Sequence, residues 1–419
     1  MSERQILVIG GGPAGIMAAL TAAAGGAPVT LLERNQRLGR KLAITGKGRC
    51  NITNNSAIEQ IIANLGANGS FLYGALSRFS VADTLDFFTQ AGLPLKTERG
   101  GRVFPKSDRA ADVAAVLQRQ LQIAGVRVLY GRRIRHLSLQ EGAVRGVIDA
   151  EGRAFPAAAL IVATGGMTYP ATGSSGDGYD LAREAGHSIV RPRPSLVPLE
   201  TVETWPAQLS GLSLRNVELS VYDGERLLGR EFGEMLFTHF GVSGPIVLSL
   251  SRLVTGASGQ GAGLGLRIDL KPALSVEQLE RRLQRDLDAF SRRHLVNALD
   301  ELLPLALVKL LPQLAGVDAH KPANQISRAE RGRLLQTLKA LPLTVKGARP
   351  IDEAIVTAGG VKLAEIEPQT MRSKLTEGLY FAGEVLDIDG MTGGYNLQAA
   401  WSSGFVAGQA AAKFFSKTS

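Results

Sequence analysis

A single cysteine, Cys50, stands in 419 residues, so no internal disulfide framework can form; the chain suits a reducing cytoplasm, where we expect it to reside. Histidine is nearly as scarce. The five present are scattered, with no Cys/His cluster at zinc spacing, so no metal site is expected. The longest stretch without charge is residues 5–32, and glycines together with Pro13 and Pro28 break it at turn positions. Glu3 beside Arg4 gives it no cationic leader. It reads as buried core rather than as a membrane span or signal peptide, so no membrane partner is expected. No stable protein partner is evident either.

Acid is also in short supply: 38 Asp and Glu against 47 Lys and Arg, a net +9. The excess is uneven. Residues 34–49 hold six basic residues and no acid, residues 96–135 ten against three (net +7), and residues 271–349 fourteen against eight (net +6). Helix faces laced with local ion pairs would account for this. A polyanionic partner would also want it, because phosphate contacts supply most of the affinity of a nucleic-acid binder.

What the sequence does have is concentrated at its start. Ile6-Leu7-Val8-Ile9 reads as a buried strand, Gly10-Gly11-Gly12-Pro13-Ala14-Gly15 is a G-x-G-x-x-G, residues 16–24 read as an alanine-rich helix, and residues 29–32 as a second strand. Glu33 follows, eighteen positions after Gly15. Gly10, Gly12 and Gly15 would serve a tight turn, close approach to a pyrophosphate, and helix–sheet contact. The helix N-terminus would face the phosphates, and Glu33 the ribose hydroxyls.

Further along, residues 39–54 alternate glycine, basic and small polar residues. They read as a loop able to wrap a pyrophosphate or line a flavin, with Lys41, Gly46 and Arg49 as contacts and Arg34 just before them. Residues 57–90 and 110–123 are helical in pattern. Residues 126–129, 134–139 and 144–148 are strand-like. An apolar strand at 159–162 runs into Thr164-Gly165-Gly166, the kind of turn that meets the dinucleotide in glutathione-reductase-type flavoproteins. Near the end, Tyr380-Phe381-Ala382-Gly383-Glu384 leads through Gly394-Tyr395-Asn396-Leu397 into a helix over 399–414. In flavoproteins of this layout the first segment meets the ribityl chain, and the helix N-terminus stabilises negative charge on the reduced ring.

These readings give an α/β class: a Rossmann-like FAD-binding domain of glutathione-reductase type, with an inserted β-rich domain and a helical subdomain. The expected domains are 1–192 and 357–419 for FAD, 193–274 with 342–356 for the β-insert, and 275–341 for the basic helical insert. Only one full G-x-G-x-x-G is present, so NAD(P)H would bind transiently near the flavin.

The segments 39–54 (with Thr45-Gly46-Lys47-Gly48-Arg49-Cys50-Asn51-Ile52-Thr53-Asn54), 164–178, 237–245 and 378–398 together resemble one bacterial flavoprotein family. This is the NAD(P)/FAD-dependent oxidoreductase or aminoacetone oxidase family of BaiN-like proteins, which includes a ribosomal RNA dihydrouridine synthase. The resemblance implies FAD as cofactor, NAD(P)H as reductant, and reduction of an activated C=C bond. Its foremost expectation is uridine to dihydrouridine in large-subunit ribosomal RNA. A small-molecule enone reductase, an amine oxidase using O₂ and a non-enzymatic flavin-binding RNA protein stay open. The basic segments 96–135 and 271–349 would clamp phosphates, with Arg281, Arg282, Arg292, Arg293, Arg331 and Arg333 as candidates; each could equally be solvated or ion-paired. For the proton at uracil C5, by analogy with the unrelated tRNA dihydrouridine synthases, Cys50 is a candidate and His239 a competitor. Either could instead be a packed structural residue.

Overall fold

The structure is a computed structural model and describes residues 4–256 and 261–418; Glu3 lies outside them. The chain divides into two compact units, Met1–Pro194 with Ile351–Ser419, and Ser195–Pro350.

The first unit is built on a seven-stranded sheet. Five strands run parallel in the order Leu379–Phe381, Ala159–Val162, Ile6–Ile9, Val29–Glu33, Arg127–Tyr130. Two short strands, Arg372–Ser373 and Ile366–Glu367, continue it antiparallel. Parallel strands covered on both faces read as unbroken apolar runs, and Ile6, Leu7, Val8, Leu160, Ile161 and Val162 are fully buried. This is the Rossmann-like FAD-binding architecture expected from the sequence. The first strand lies at the centre, and the late strand Leu379–Phe381 is two places away.

The helix Tyr395–Lys417 brings the chain's end onto its beginning. Its Gly404 and Gly408 lie so near the helix Pro13–Ala24 that a Cβ on either would stand 2.3 Å from the carbonyl oxygen of Ala14 or Ala18. Polar groups fix its first turns. Gln398 Oε1 accepts from Thr53 (2.6 Å) and Thr84 (3.0 Å), and Gln398 Nε2 donates to Ser402 Oγ (3.0 Å). Trp401 Nε1 donates to the Ile52 carbonyl (3.0 Å). All of this is buried, where an unpaired polar group would cost about 1–3 kcal/mol.

The second unit is a closed six-stranded barrel in the order Leu199–Thr201, Gly241–Ser243, Arg226–Thr238, Ser213–Asp223, Gly265–Asp269, Leu341–Ala348. Asp223 and Gly224 lie at its hairpin tip, where Asp223 pairs with Arg226 and Gly224 takes φ +58°. Helices Val276–Ala289 and Arg328–Lys339 begin with capping boxes from Ser275 and Ser327.

Four local expectations are corrected. The basic helical segment is not a body of its own: Leu279, Leu283, Leu307, Leu311, Leu334 and Leu338 share one core with Leu219, Val221, Phe237 and Ile268 of the barrel. An amphipathic helix has to bury its apolar stripe, and the barrel offers the surface. Residues 342–356 close the β-insert only as far as Pro350, and from Ile351 the chain belongs to the first unit. Leu341–Ala348 seals the barrel against Leu199–Thr201, whereas Val356–Val361 pairs with Ile189–Ser195. Residues 40–44 are helical rather than loop, and the helix breaks at Thr45, Gly46 and Lys47. Pro245–Gly256, within the segment expected to be β-rich, forms a helix. Among the described residues no helix is long and apolar enough to cross a membrane, and no group of His, Cys, Asp and Glu could hold a metal ion.

The glycines give a test. Gly404→Ala or Gly408→Ala should lower unfolding free energy by about 1–3 kcal/mol through overpacking against fixed backbone. Gly332→Ala should raise it by about 0.5–1 kcal/mol, because Gly332 lies in the helix Arg328–Lys339 with open space where a Cβ would go. Denaturant unfolding of the three variants checks both signs.

Candidate dinucleotide-cofactor site

The three motif glycines do different work. At Gly10 (φ +105°) a Cβ would meet the Ala163 carbonyl oxygen at 2.5 Å, and at Gly15 it would meet the Gly10 oxygen at 1.9 Å. At Gly12 it would meet nothing within 4 Å. Gly12 starts the helix Pro13–Ala24, and no side chain caps that end. Free N–H groups and a positive dipole end thus face open space, the arrangement a phosphate requires.

Glu33 is buried and already engaged. Its Oε2 accepts from Gly11 N–H (2.7 Å), and its Oε1 from Asn35 N–H (2.7 Å) and Asn35 Nδ2 (2.7 Å). A carboxylate has roughly four lone-pair sites, so about one is left for a ribose. The side chain is first a brace for the glycine turn. Arg34 reaches away to Gly173 O, Ser175 Oγ and Asp177. Arg133 holds Asp177 bidentately, at 2.8 Å from both Nε and Nη2. Burial opposes ionisation of Asp177, but the Arg133 fork, Ser175 and Arg34 override it and hold the carboxyl below its usual range.

After the strand Ala159–Val162, the Thr164 hydroxyl is buried with no hydrogen-bond partner. A Cβ on Gly178 would fall 2.0 Å from it, and Gly165 takes φ +75°. The later Gly383 (φ +76°) donates its N–H to Ser403 Oγ, and a Cβ there would be 2.7 Å from that of Ala14. Glu384 accepts from Lys41 Nζ (2.7 and 3.0 Å) and from Thr357 N–H (2.9 Å), while Lys41 also donates to Thr168 Oγ1 (2.7 Å). Residues 41, 168, 357 and 384 thus form one cluster; the sequence had marked Lys41 and Glu384 separately and missed Thr168 and Thr357. No spacing could have paired positions so far apart.

Gly394 (φ +103°) caps the helix Tyr395–Lys417 without a side chain, and a Cβ on it would strike the Thr53 carbonyl at 2.4 Å. Asn396 is spent on the preceding loop, accepting from Gly390 N–H (2.7 Å) and donating to the Gly390 and Met391 carbonyls. Leu397 is half-buried. Arg49 lies 4.0 Å over the Phe104 ring and pairs with Glu98 (2.9 Å) and Asp108 (3.4 Å). Gly46, Lys47, Gly48 and Cys50 all have positive φ, so the basic run is a series of tight left-handed turns. Nearby Asn51 Oδ1 is another buried polar atom without a partner.

Cys50 is fully buried, and burial pushes its thiol up to about 12 against the smaller opposing effect of the Thr45 hydroxyl. Such a thiol stays protonated near neutrality. His239 belongs to the second unit, is exposed, and packs edge-on against Phe240 at 4.9 Å. Asp387, which the sequence reading did not single out, is half-buried; burial raises its carboxyl above the ordinary range, opposed by Arg193.

Residues 4–410 match the HI0933-like protein Rossmann domain model. The chain belongs to this family. The family is one of flavoproteins, and the chain is a flavoprotein oxidoreductase by membership. It is 36% identical over 411 residues to a 3-dehydro-bile acid delta(4,6)-reductase of Clostridium scindens, covering 98% of this chain and 99% of the relative. It is 32% identical over 404 residues to a ribosomal RNA dihydrouridine synthase of Haemophilus influenzae, covering 95% and 96%. A flavocytochrome c3 fumarate reductase shares the fold, with a TM-score of 0.55 at 19% identity, covering 99% of this chain and 79% of that one.

Two tests follow from this geometry. Gly12→Val should abolish flavin absorbance and leave the fold intact, because the new side chain enters open space and not protein; Gly15→Ala should damage both. Absorbance at 450 nm beside far-UV circular dichroism separates them. The second test concerns Cys50. Its folded pKa of about 12 lies above the ordinary 9.0, so its contribution to stability is complete below pH 9 and is lost as pH rises toward 12. Wild-type unfolding free energy should therefore fall between pH 9 and 10.5 by up to about 1.4 kcal/mol per pH unit more steeply than that of Cys50→Ala.

Proposed function

We propose that this chain is an FAD-dependent reductase that uses NAD(P)H to saturate a C=C bond conjugated to a carbonyl, and that its substrate is uridine in large-subunit ribosomal RNA. The reaction type is what the two relatives' names have in common. A 3-keto bile acid with Δ4,6 unsaturation and a uracil both present an alkene polarised by a carbonyl.

Gly12 and the uncapped helix ends at Pro13 and Tyr395 would receive the cofactor, with the unpartnered Thr164 hydroxyl supplying a hydrogen bond. Glu33, Arg34, Lys41, Arg49 and Asn396 hold the surrounding loops in shape through the contacts described above. FAD, when bound, supplies a hydride to the carbon β to the carbonyl. The chain must then provide a proton at the α carbon, uracil C5. Cys50 has the protonation state for this role and His239 the exposure, and each is a candidate donor.

The observation that carries the RNA reading is a set of exposed arginines in the second unit: Arg281, Arg292, Arg293, Arg328 and Arg333 have no salt bridge among the described residues. A reductase of a small ketone has no use for such a set, whereas an RNA-modifying enzyme needs it. The small-molecule reading keeps one support, the 36% identity to the bile-acid reductase.

Mapping dihydrouridine in ribosomal RNA from cells with and without the gene decides between them. One lost modification is expected on deletion, and an unchanged map would move the assignment to a small enone. In the purified enzyme, Cys50→Ala should keep flavin reduction by NAD(P)H and lose turnover of RNA; full turnover would exclude Cys50 as the acid.

A further inference from the structure

Two segments of the second unit cross each other beyond the helix Val276–Ala289. Leu295 N–H donates to the Lys321 carbonyl (2.9 Å), Val296 N–H to Ala319 (3.1 Å), Ala323 N–H to Arg293 (2.9 Å) and Asn324 N–H to Ser291 (3.2 Å). This lattice of four backbone bonds makes a rigid knuckle out of residues 291–296 and 319–324. Its surface carries Arg292, Arg293, His294 and His320, all exposed.

The charges there are not spent internally. The Arg293 guanidinium stacks 4.6 Å over the Phe290 ring, and neither Arg292 nor Arg293 forms a salt bridge among the described residues. The His294 and His320 rings stand edge to face at 5.6 Å. One neighbouring acid, Glu330, is already neutralised by Lys321 at 2.8 Å; that ammonium, with the Ser327 N–H and hydroxyl, holds its carboxyl down to about 2. Asp318 accepts from His320 N–H (2.9 Å). Elsewhere in this region arginines are consumed: Arg282 and Arg285 hold Asp286, and Arg331 reaches Glu280 and Gln284. An aromatic-stacked arginine keeps its N–H edges for a ligand, and paired arginines beside imidazole donors suit the oxygens of a phosphodiester.

We propose that the knuckle formed by Arg292, Arg293, His294 and His320 is a phosphate-binding site that grips the backbone of the RNA substrate. This rests on the RNA reading above and adds where the polyanion is held. Because the site belongs to a backbone-locked crossing, its backbone is preorganised, and little loop entropy is lost on binding.

The test uses the full-length flavin-loaded protein and a fluorescein-labelled single-stranded ribosomal RNA fragment, titrated by anisotropy across a range of KCl. For Arg292→Ala/Arg293→Ala, affinity at low salt should drop about 10–100-fold, and the slope of log K against log salt should lessen by about 1.4, the value for two phosphate contacts on a single strand. Arg292→Lys/Arg293→Lys should restore the slope. A charge-matched control on the barrel hairpin, Arg226→Ala/Arg230→Ala, should leave both nearly unchanged. Flavin content must match wild type in every variant. Equal losses in the knuckle and hairpin variants, or none in the knuckle variant, would overturn the site. So would knuckle-dependent binding to phosphatidylserine vesicles without binding to RNA. The uridine reading fails separately: knuckle-dependent RNA binding with an unchanged dihydrouridine map keeps the site and discards that substrate.

Discussion

Two glycines in the last helix let its backbone lie directly on the carbonyls of Ala14 and Ala18, and the rest of the first unit follows from that contact. It fixes where the helix Tyr395–Lys417 begins, and therefore where Gly394 meets the Thr53 carbonyl. It places Ser403 to receive Gly383 N–H, so the turn at 383–384 is held by the same helix. Glu384 then meets Lys41 and Thr357, and Gln398 meets Thr53 and Thr84. The links to Lys41, Thr53 and Thr84 join the chain's end to its first hundred residues. A cofactor cradle assembled this way cannot exist until both ends of the chain have folded together, so a slow assembly step set by non-local contacts is built into the architecture.

Much of this frame was legible in the sequence, for a physical reason. Backbone geometry leaves local marks. A buried parallel strand must be apolar throughout, so residues 6–9 and 159–162 declare themselves. A tight turn needs glycine, so residues 10–15 do too. The helix Ala110–Ile123 begins and ends where its apolar spacing and Gly125 place it. Partnerships leave no such mark. Nothing in Leu199–Thr201 indicates that it closes a barrel on a strand some 145 positions later, where Leu199 pairs with Ala348. Nothing near Glu33 indicates that its first duty is to Gly11 and Asn35. The helix at 40–44 was hidden because the glycines at 46 and 48 read as loop, although helical turns exist on one side of them.

Charge illustrates the same limit. A net +9 describes the whole chain, yet electrostatic recognition is decided within about a Debye length, roughly 10 Å at 0.1 M salt. Within that range half of the basic residues of segment 96–135 are answered, Lys96 by Asp108, Arg102 by Glu98, Arg109 by Asp112, Arg132 by Asp149 and Glu151, and Arg133 by Asp177, while Arg99, Lys106, Arg119, Arg127 and Arg135 form no salt bridge among the described residues. The 271–349 segment is answered on one helix face and left open at residues 292–294. Local pairing, which a count of charges cannot see, is what separates a basic protein from a basic surface.

The proton donor poses the sharpest constraint on the chemistry. A general acid must be protonated at the working pH and must also reach the reacting carbon. Cys50 meets the first condition through its burial, and that burial removes it from any exposed substrate unless the left-handed turns at 46–50 rearrange. Asp387 shows the opposite compromise. Half-exposed, it keeps a route outward, and burial lifts its carboxyl above the ordinary range by less than full burial would. His239 is exposed and gives up no access at all. The three differ in how much access they give up for protonation. A substrate as large as RNA, which must swing a base out of its stack to be reduced, favours a donor that the base can approach.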